Sequence, residues 1–406
     1  MRDFESKRMK RCQGSPTVKL MNRGKEMKRR GEDVLLFTIG EPNFNCPDAV
    51  KQAAIEAIEK NMTRYTPAAG TMEVRERIAR KLLEENGISA DPATDIIVTP
   101  SGKLAFFQAA MAFLDEGDDA MLLEPTWMTY NDIVRMTGAN CVSVPLSIEN
   151  NFVVTRELLE QYVTGKTKML ILCNPSNPTG HVMSKEEVEA VADFALAHDI
   201  LVVSDEIYER LIFDGRRHYS IGAIERVKDR VITLNGLSKS HAMMGFRFGY
   251  SAAPAELTRA MMKMQESTVT TASSISQYAA ITAYDCNDYV EYMRGEYQKR
   301  RDYLYEGLNA IPCITCPKPE GTFYMFFKAD YKGMNAFELA DYMLGSAHSG
   351  RSRRGVRRRR RTVHPLLLCR LHGGYPGGRQ AAPEDLRAVA AASFFRNRDC
   401  GNMRIF

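Results

Sequence analysis

Residues 169–180 read MLILCNPSNPTG, residues 200–208 read ILVVSDEIY, and residues 231–239 read VITLNGLSK. Each is a short apolar run that stops abruptly at polar side chains. AMLLE at 120–124 and IIV at 96–98 extend the series, and amphipathic stretches near 103–114, 127–137 and 185–198 separate the runs. Apolar runs without polar alternation suit strands covered on both faces, as in a mostly parallel sheet wrapped by helices. The expected fold is therefore α/β. Ligands of such sheets sit beyond the carboxyl ends of the strands, so the residues just after each run are where chemistry is sought.

Those strand ends carry a coherent set of groups. Asn174-Pro175-Ser176-Asn177-Pro178-Thr179-Gly180 follows the first run, Asp205-Glu206-Ile207-Tyr208 the second, and Gly236-Leu237-Ser238-Lys239 the third, with Arg247 eight residues after the lysine. Thr99-Pro100-Ser101-Gly102-Lys103 leads from IIV into a helix, the geometry that holds an anion on backbone N–H groups. Taken singly, each has a plainer reading: a lysine is usually a solvated charge, an Asp after a strand a helix cap, a tyrosine core packing, and NPSNPTG a turn. Together and in this order they are a strong signal.

In these motifs the chain resembles the fold-type-I, pyridoxal-phosphate-dependent aminotransferases of the aspartate aminotransferase family, from about Val34 to about Asp330. The resemblance implies a large domain with a seven-stranded, mostly parallel sheet and a smaller α+β domain. It implies pyridoxal 5'-phosphate as cofactor, with Lys239 as the Schiff-base lysine that later moves the substrate proton. Asp205 matches the carboxylate that pairs with the pyridine nitrogen, and Tyr208 and Asn177 match the groups that hydrogen-bond the ring's phenolic oxygen. Ser101, Gly102 and the N–H of Lys103, joined by Ser238 and Arg247, match the phosphate cradle, and Trp127 the ring stacked on the pyridine. Tyr65 matches a tyrosine that reaches the phosphate of a neighbouring subunit, which implies a homodimer. Gly40 and Asn177 fall where the family meets the substrate carboxylate. Lys103 and the Ser15–Thr17 stretch match groups that face an acidic side chain in some bacterial relatives. The substrates implied are an amino acid and a 2-oxo acid, exchanged in a ping-pong cycle. A carbon–sulfur lyase would share Lys239, Asp205 and Tyr208, and a cofactor-binding homologue with impaired catalysis would keep the same cofactor site.

The family also carries an arginine in a strand of its small domain that grips the substrate α-carboxylate, expected here at about 360–390. Arg361, Arg370 and Arg379 fall in that window, but TVHPLLLCRLHGGYPGGRQ around them reads as lacking the strand that holds it. After Leu344 the composition changes abruptly to GRSRRGVRRRRRT and a Gly- and Pro-rich segment, as a reading-frame error or a divergent tail would look. The expected organisation is an N-terminal segment (1–47) joining the small domain, a large cofactor-binding domain (48–290), a small domain (291–344) and an atypical, poorly ordered tail (345–406).

Composition excludes other classes. The 406 residues, 44% hydrophobic and 26% charged, have ample material for a real core. The net charge is +5, yet eight arginines lie within 351–361; without them it is +5 − 8 = −3, so no general affinity for nucleic acid follows. No apolar run reaches 18 residues and the start, MRDFESKRMKRC, is charged, so the expectations are no membrane span, no secretory signal and a cytoplasmic protein. Cys313 and Cys316 form a CxxC without a matching second pair, so no metal site is expected.

Overall fold

The computed structural model describes residues 2–12, 16–31, 40–331, 333–336 and 338–339, and the backbone of 362–367. Ten strands are found among them: β1 (Ile96–Thr99), β2 (Asp119–Glu124), β3 (Asn140–Pro145), β4 (Thr167–Cys173), β5 (Leu201–Asp205), β6 (Val231–Gly236), β7 (Gly249–Ala252), β8 (Ile314–Thr315), β9 (Tyr324–Ala329) and β10 (Thr362–Leu367). The first seven form one sheet in the order β1-β7-β6-β5-β4-β2-β3, in which β7 alone is reversed. β10, β9 and β8 form a small antiparallel sheet. The α/β architecture with a second, smaller sheet agrees with the sequence.

The apolar runs are explained by burial on both faces. Along β4, Met169 and Ile171 pack into a core shared with Phe106 and Ala109 of helix Gly102–Phe113 and Tyr130 of helix Met128–Thr137. Leu170 and Leu172 face the other way, onto Val188, Val191 and Phe194 of helix Lys185–Ala197. Each such side chain stabilises the sheet by roughly 1.5–3 kcal/mol, which fixes the strand ends in space. The strand β3 escaped the sequence reading because it lies at the sheet edge, where only Val144 of its six residues is buried. A further core joins helix Asn287–Asn309, through Met293, Tyr297 and Leu304, to Met325 and Phe327 of β9 and reaches Tyr208, Leu211 and Phe213.

One expectation is corrected. Residues 362–367, read as lacking a strand, form β10, paired antiparallel to β9 with Pro365 opposite Phe326. Proline removes a ladder donor and so suits only an edge strand; β10 is at the edge of its sheet, which is why an interrupted apolar run could still pair. Arg361, Arg370 and Arg379 lie outside the described residues, as does Ser15. No arginine occurs within 362–367.

Candidate active site

The carboxyl ends of β5 and β6 bring Asp205 and Lys239 together. Asp205, the last residue of β5, is buried; its Oδ2 accepts a 2.6 Å hydrogen bond from Tyr130 Oη and its Oδ1 one of 3.1 Å from the Ile207 N–H. Burial pushes its pKa up, and the two hydrogen bonds and the nearby Lys239 charge oppose that. Tyr130 is itself held well above the usual phenol range, by burial first and by Asp205 next, so it remains a neutral donor. A carboxylate placed this way is short of positive charge and complements a protonated ring nitrogen.

Lys239 lies three residues beyond β6. Its Nζ donates to Gly40 O at 2.6 Å and stands 6.0 Å from the centroid of the Tyr208 ring and 5.7 Å from that of Phe323. Tyr208 is buried; its Oη accepts from Asn177 Nδ2 over 3.4 Å and shares a 2.8 Å hydrogen bond with Tyr324 Oη. Burial, followed by Tyr324, holds the Tyr208 phenol well above its ordinary pKa, so it stays protonated and can donate.

The next residues outward form an anion cradle. Ser101 caps helix Gly102–Phe113, its Oγ accepting from the Leu104 N–H at 3.2 Å. The N–H groups of Gly102 and Lys103 belong to a first turn, where the helix supplies no acceptor. β7 presses against this turn: a Cβ built on Gly249 would lie 2.3 Å from Gly102 N and 2.5 Å from the Ser101 carbonyl carbon, so only glycine permits the approach. The Lys103 pKa is lowered by burial and then by the nearby Arg247 charge. Lys103 Nζ also stands 4.9 Å from the centroid of the Trp127 ring, which packs edge-on to Tyr130 at 5.2 Å. Ser238 is half-buried beside Lys239.

Within one chain the structure therefore gathers Gly40, Asn177, Asp205, Tyr208 and Lys239, with Trp127, Ser101, Gly102, Lys103 and Arg247 alongside. Tyr65 stands apart, 89% exposed. Sequence reasoning missed Tyr130, Tyr324, Phe323 and Gly249. Tyr130 had a legible signal, three residues after Trp127 and hence on one helix face with it. Tyr324 had none, because its partner Tyr208 is 116 residues away.

Glu206, next to Asp205, contributes to a separate buried network. It accepts from Ser204 Oγ (2.9 Å) and Ser220 Oγ (2.7 Å) and pairs with His218 Nε2 (2.9 Å), while Lys81 pairs with Glu209. Glu206, Glu209 and His218 are close enough to hold a metal ion. Lys81 balances Glu209, and His218, its pKa raised despite burial by Glu206, balances the other carboxylate, so the group carries its own counter-charges and anchors the 205–209 turn.

A family model described as aminotransferase class I and II matches residues 32–348. The chain is 38% identical to an aspartate aminotransferase of Geobacillus stearothermophilus over 323 residues, 79% of this chain and 82% of that one. It is 40% identical to an aspartate aminotransferase of Pyrococcus abyssi over 319 residues, 78% and 82% of the two chains. Among solved structures, an aspartate aminotransferase from Thermus thermophilus with maleate superposes with a TM-score of 0.85 at 33% identity, covering 98% of this chain and all of that one.

Proposed function

Because the chain belongs to the class I and II aminotransferase family, and is thus a pyridoxal-phosphate-dependent transaminase, we propose that its chemistry is carried by Lys239, Asp205 and Tyr208. The observation that carries this reading is the meeting of an amine and a buried, electron-rich carboxylate at the ends of adjacent strands. The residues fit pyridoxal 5'-phosphate: a helix turn packed so closely on β7 that a Cβ has no room, two cations close enough to feel each other's charge, and a buried carboxylate whose pKa is raised. Bound there, the cofactor supplies an aldehyde for amine exchange and a ring that accepts electron density from the substrate α-carbon.

The protein's own groups divide the remaining work. Lys239 Nζ is the covalent anchor and, once released, the base that moves a proton at the substrate α-carbon. Asp205, supported by Tyr130, holds the ring nitrogen's proton. Tyr208 and Asn177 donate to the phenolic oxygen. Ser101, Gly102 and the Lys103 N–H, with Ser238 and Arg247, would hold the phosphate, and Trp127 would lie against the ring. Gly40, within reach of Lys239, lines the substrate's entry.

The same reading gives a homodimer in which the exposed Tyr65 reaches a neighbouring subunit's phosphate. The half-exposed Ile55 and Ile58 of helix Asp48–Glu59 are apolar surface that a second copy would cover. Domains of 48–290 and 291–344 follow from it too. Among the described residues no helix is long and apolar enough to cross a membrane. The described cysteines form no disulfide, which supports a reducing cytoplasmic setting.

The substrate class is a dicarboxylic amino acid. That the relatives are named aspartate aminotransferases, one with maleate bound, supports it, and on this reading the Lys103 ammonium meets the second carboxylate. In a panel of amino donors, the Lys103→Ala variant is expected to lose about tenfold or more in kcat/KM for aspartate relative to an apolar donor, since a charge-assisted hydrogen bond contributes about 1.5–3 kcal/mol. Equal losses for both donors would assign Lys103 to the cofactor alone.

A further inference from the structure

We propose that His181, as an imidazolium, is a positioning residue: it clasps the 174–182 loop to the 318–324 loop and so holds Asn177 and Tyr324 against the Tyr208 phenol.

The two loops approach the tyrosine from opposite sides of the sequence. Asn177 stands four residues before His181, and Tyr324 four residues after Glu320, so the contacts to Tyr208 and the clasp belong to the same two short segments. Between them the backbones are interlocked. The N–H groups of Glu320 and Gly321 both donate to Gly180 O at 2.9 Å, and a Cβ on Gly180 (φ +74°) would lie 2.6 Å from Pro319 Cβ. The Glu320 carboxylate closes the joint: Oε2 accepts from the Val182 N–H at 3.0 Å, while Oε1 meets Arg216 at 2.6 Å and Asn151 Nδ2 at 3.2 Å.

His181 sits inside this joint, 6% exposed, with a carboxylate at each ring nitrogen. Nε2 is 2.9 Å from Glu187 Oε1, and Nδ1 is 3.2 Å from Glu320 Oε2, an ion-pair distance at an angle too oblique for a good hydrogen bond. Only the doubly protonated ring presents positive charge to both. Glu187 cannot turn away, because its Oε2 accepts from the Ser184 N–H in the capping box of helix Lys185–Ala197 and its Oε1 from the Val154 N–H. The charged groups facing the ring are therefore Glu187 from that helix and Glu320 from the 318–322 loop, with Arg216 on the far oxygen of Glu320. Burial alone would pull the His181 pKa down, but the interactions with the Glu187 and Glu320 carboxylates overcome it and lift the value to about 9. Without the imidazolium, Glu187 keeps only the Ser184 and Val154 N–H donors and Glu320 only the half-exposed Arg216 as counter-charge. The joint then rests on its backbone hydrogen bonds alone, and Asn177 and Tyr324 are held less firmly against Tyr208, which weakens it as a donor to the cofactor's phenolic oxygen.

The proposal rests on the reading of Tyr208 and Asn177 given above, and its test keeps the two separate. In the purified holoenzyme, the visible band of the bound cofactor is titrated with pH for wild type, His181→Gln and Glu320→Gln. A wild type without any such band would overturn the cofactor reading itself. With the band present, the proposal expects its titration midpoint to rise by at least about half a unit, a three-fold change in proton affinity, in both variants. It also expects wild-type cofactor release to accelerate as pH passes about 9, and release from His181→Gln to be fast throughout. Unchanged midpoints in both variants, even with lowered melting temperatures, would reduce His181 to a structural bridge and refute the proposal.

Discussion

Replacing Gly249 by alanine should loosen the phosphate cradle without touching any polar group. The added Cβ would lie 2.3 Å from Gly102 N, 2.5 Å from the Ser101 carbonyl carbon and 3.0 Å from Ser101 Cα, all backbone atoms that cannot rotate aside. Reaching ordinary contact requires a displacement of roughly 1 Å. β7 cannot supply it, because Gly249 is paired to Thr99 on one side and Gly236 on the other. The 101–103 turn must move. Overpacking of this kind costs about 1–3 kcal/mol of stability. A cradle shifted by that amount loses at least one charge-assisted hydrogen bond to the phosphate, about 1.5–3 kcal/mol, or a tenfold to hundredfold weaker cofactor affinity. Denaturant unfolding of the stripped protein measures the first effect and absorbance titration with pyridoxal phosphate the second. Wild-type affinity together with wild-type stability would refute the idea that β7 shapes the cradle.

Two further outcomes follow from the site. Tyr130→Phe removes the 2.6 Å donor to the buried Asp205 and leaves its pKa to rise further; kcat should fall about tenfold to hundredfold with little change in KM, as steady-state kinetics would show, and an unchanged kcat would mean Asp205 needs no such support. The His181 clasp should also make stability pH-dependent. Its folded pKa of about 9 lies above the ordinary 6.5, so the stabilisation is fully present below pH 6.5 and is lost as pH rises through 9. The 2.5-unit difference corresponds to about 3 kcal/mol, readable as the difference between wild type and His181→Gln in denaturant unfolding at pH 6 and pH 10. A gap of the same size at both values would count against the imidazolium.

Much of the architecture could be read from the chain because the physics that sets it is local. MLILC is apolar throughout and VITLN nearly so, apart from the buried Thr233 and Asn235, since both faces of β4 and β6 are covered. Lys239, Asp205 and Asn177 were picked out as candidates for the same reason: each lies within four residues of the end of such a run. Tyr324 and His181 were not, since both act through contacts between loops more than a hundred residues apart, 116 for Tyr208 with Tyr324 and 139 for His181 with Glu320. β3 and β10 were missed for opposite versions of one cause. An edge strand need not be continuously apolar, so Asn140–Pro145 shows mixed burial and Thr362–Leu367 tolerates Pro365. Gly249 reads as an ordinary strand residue until the approach of the 101–103 turn is seen.

The most direct measurement is borohydride reduction of the protein loaded with pyridoxal phosphate, followed by peptide mass mapping. One pyridoxyl adduct per chain is expected, on the peptide that holds Lys239. An adduct on another lysine, or none where the visible band is present, would contradict the assignment of the anchoring amine and the site built around it.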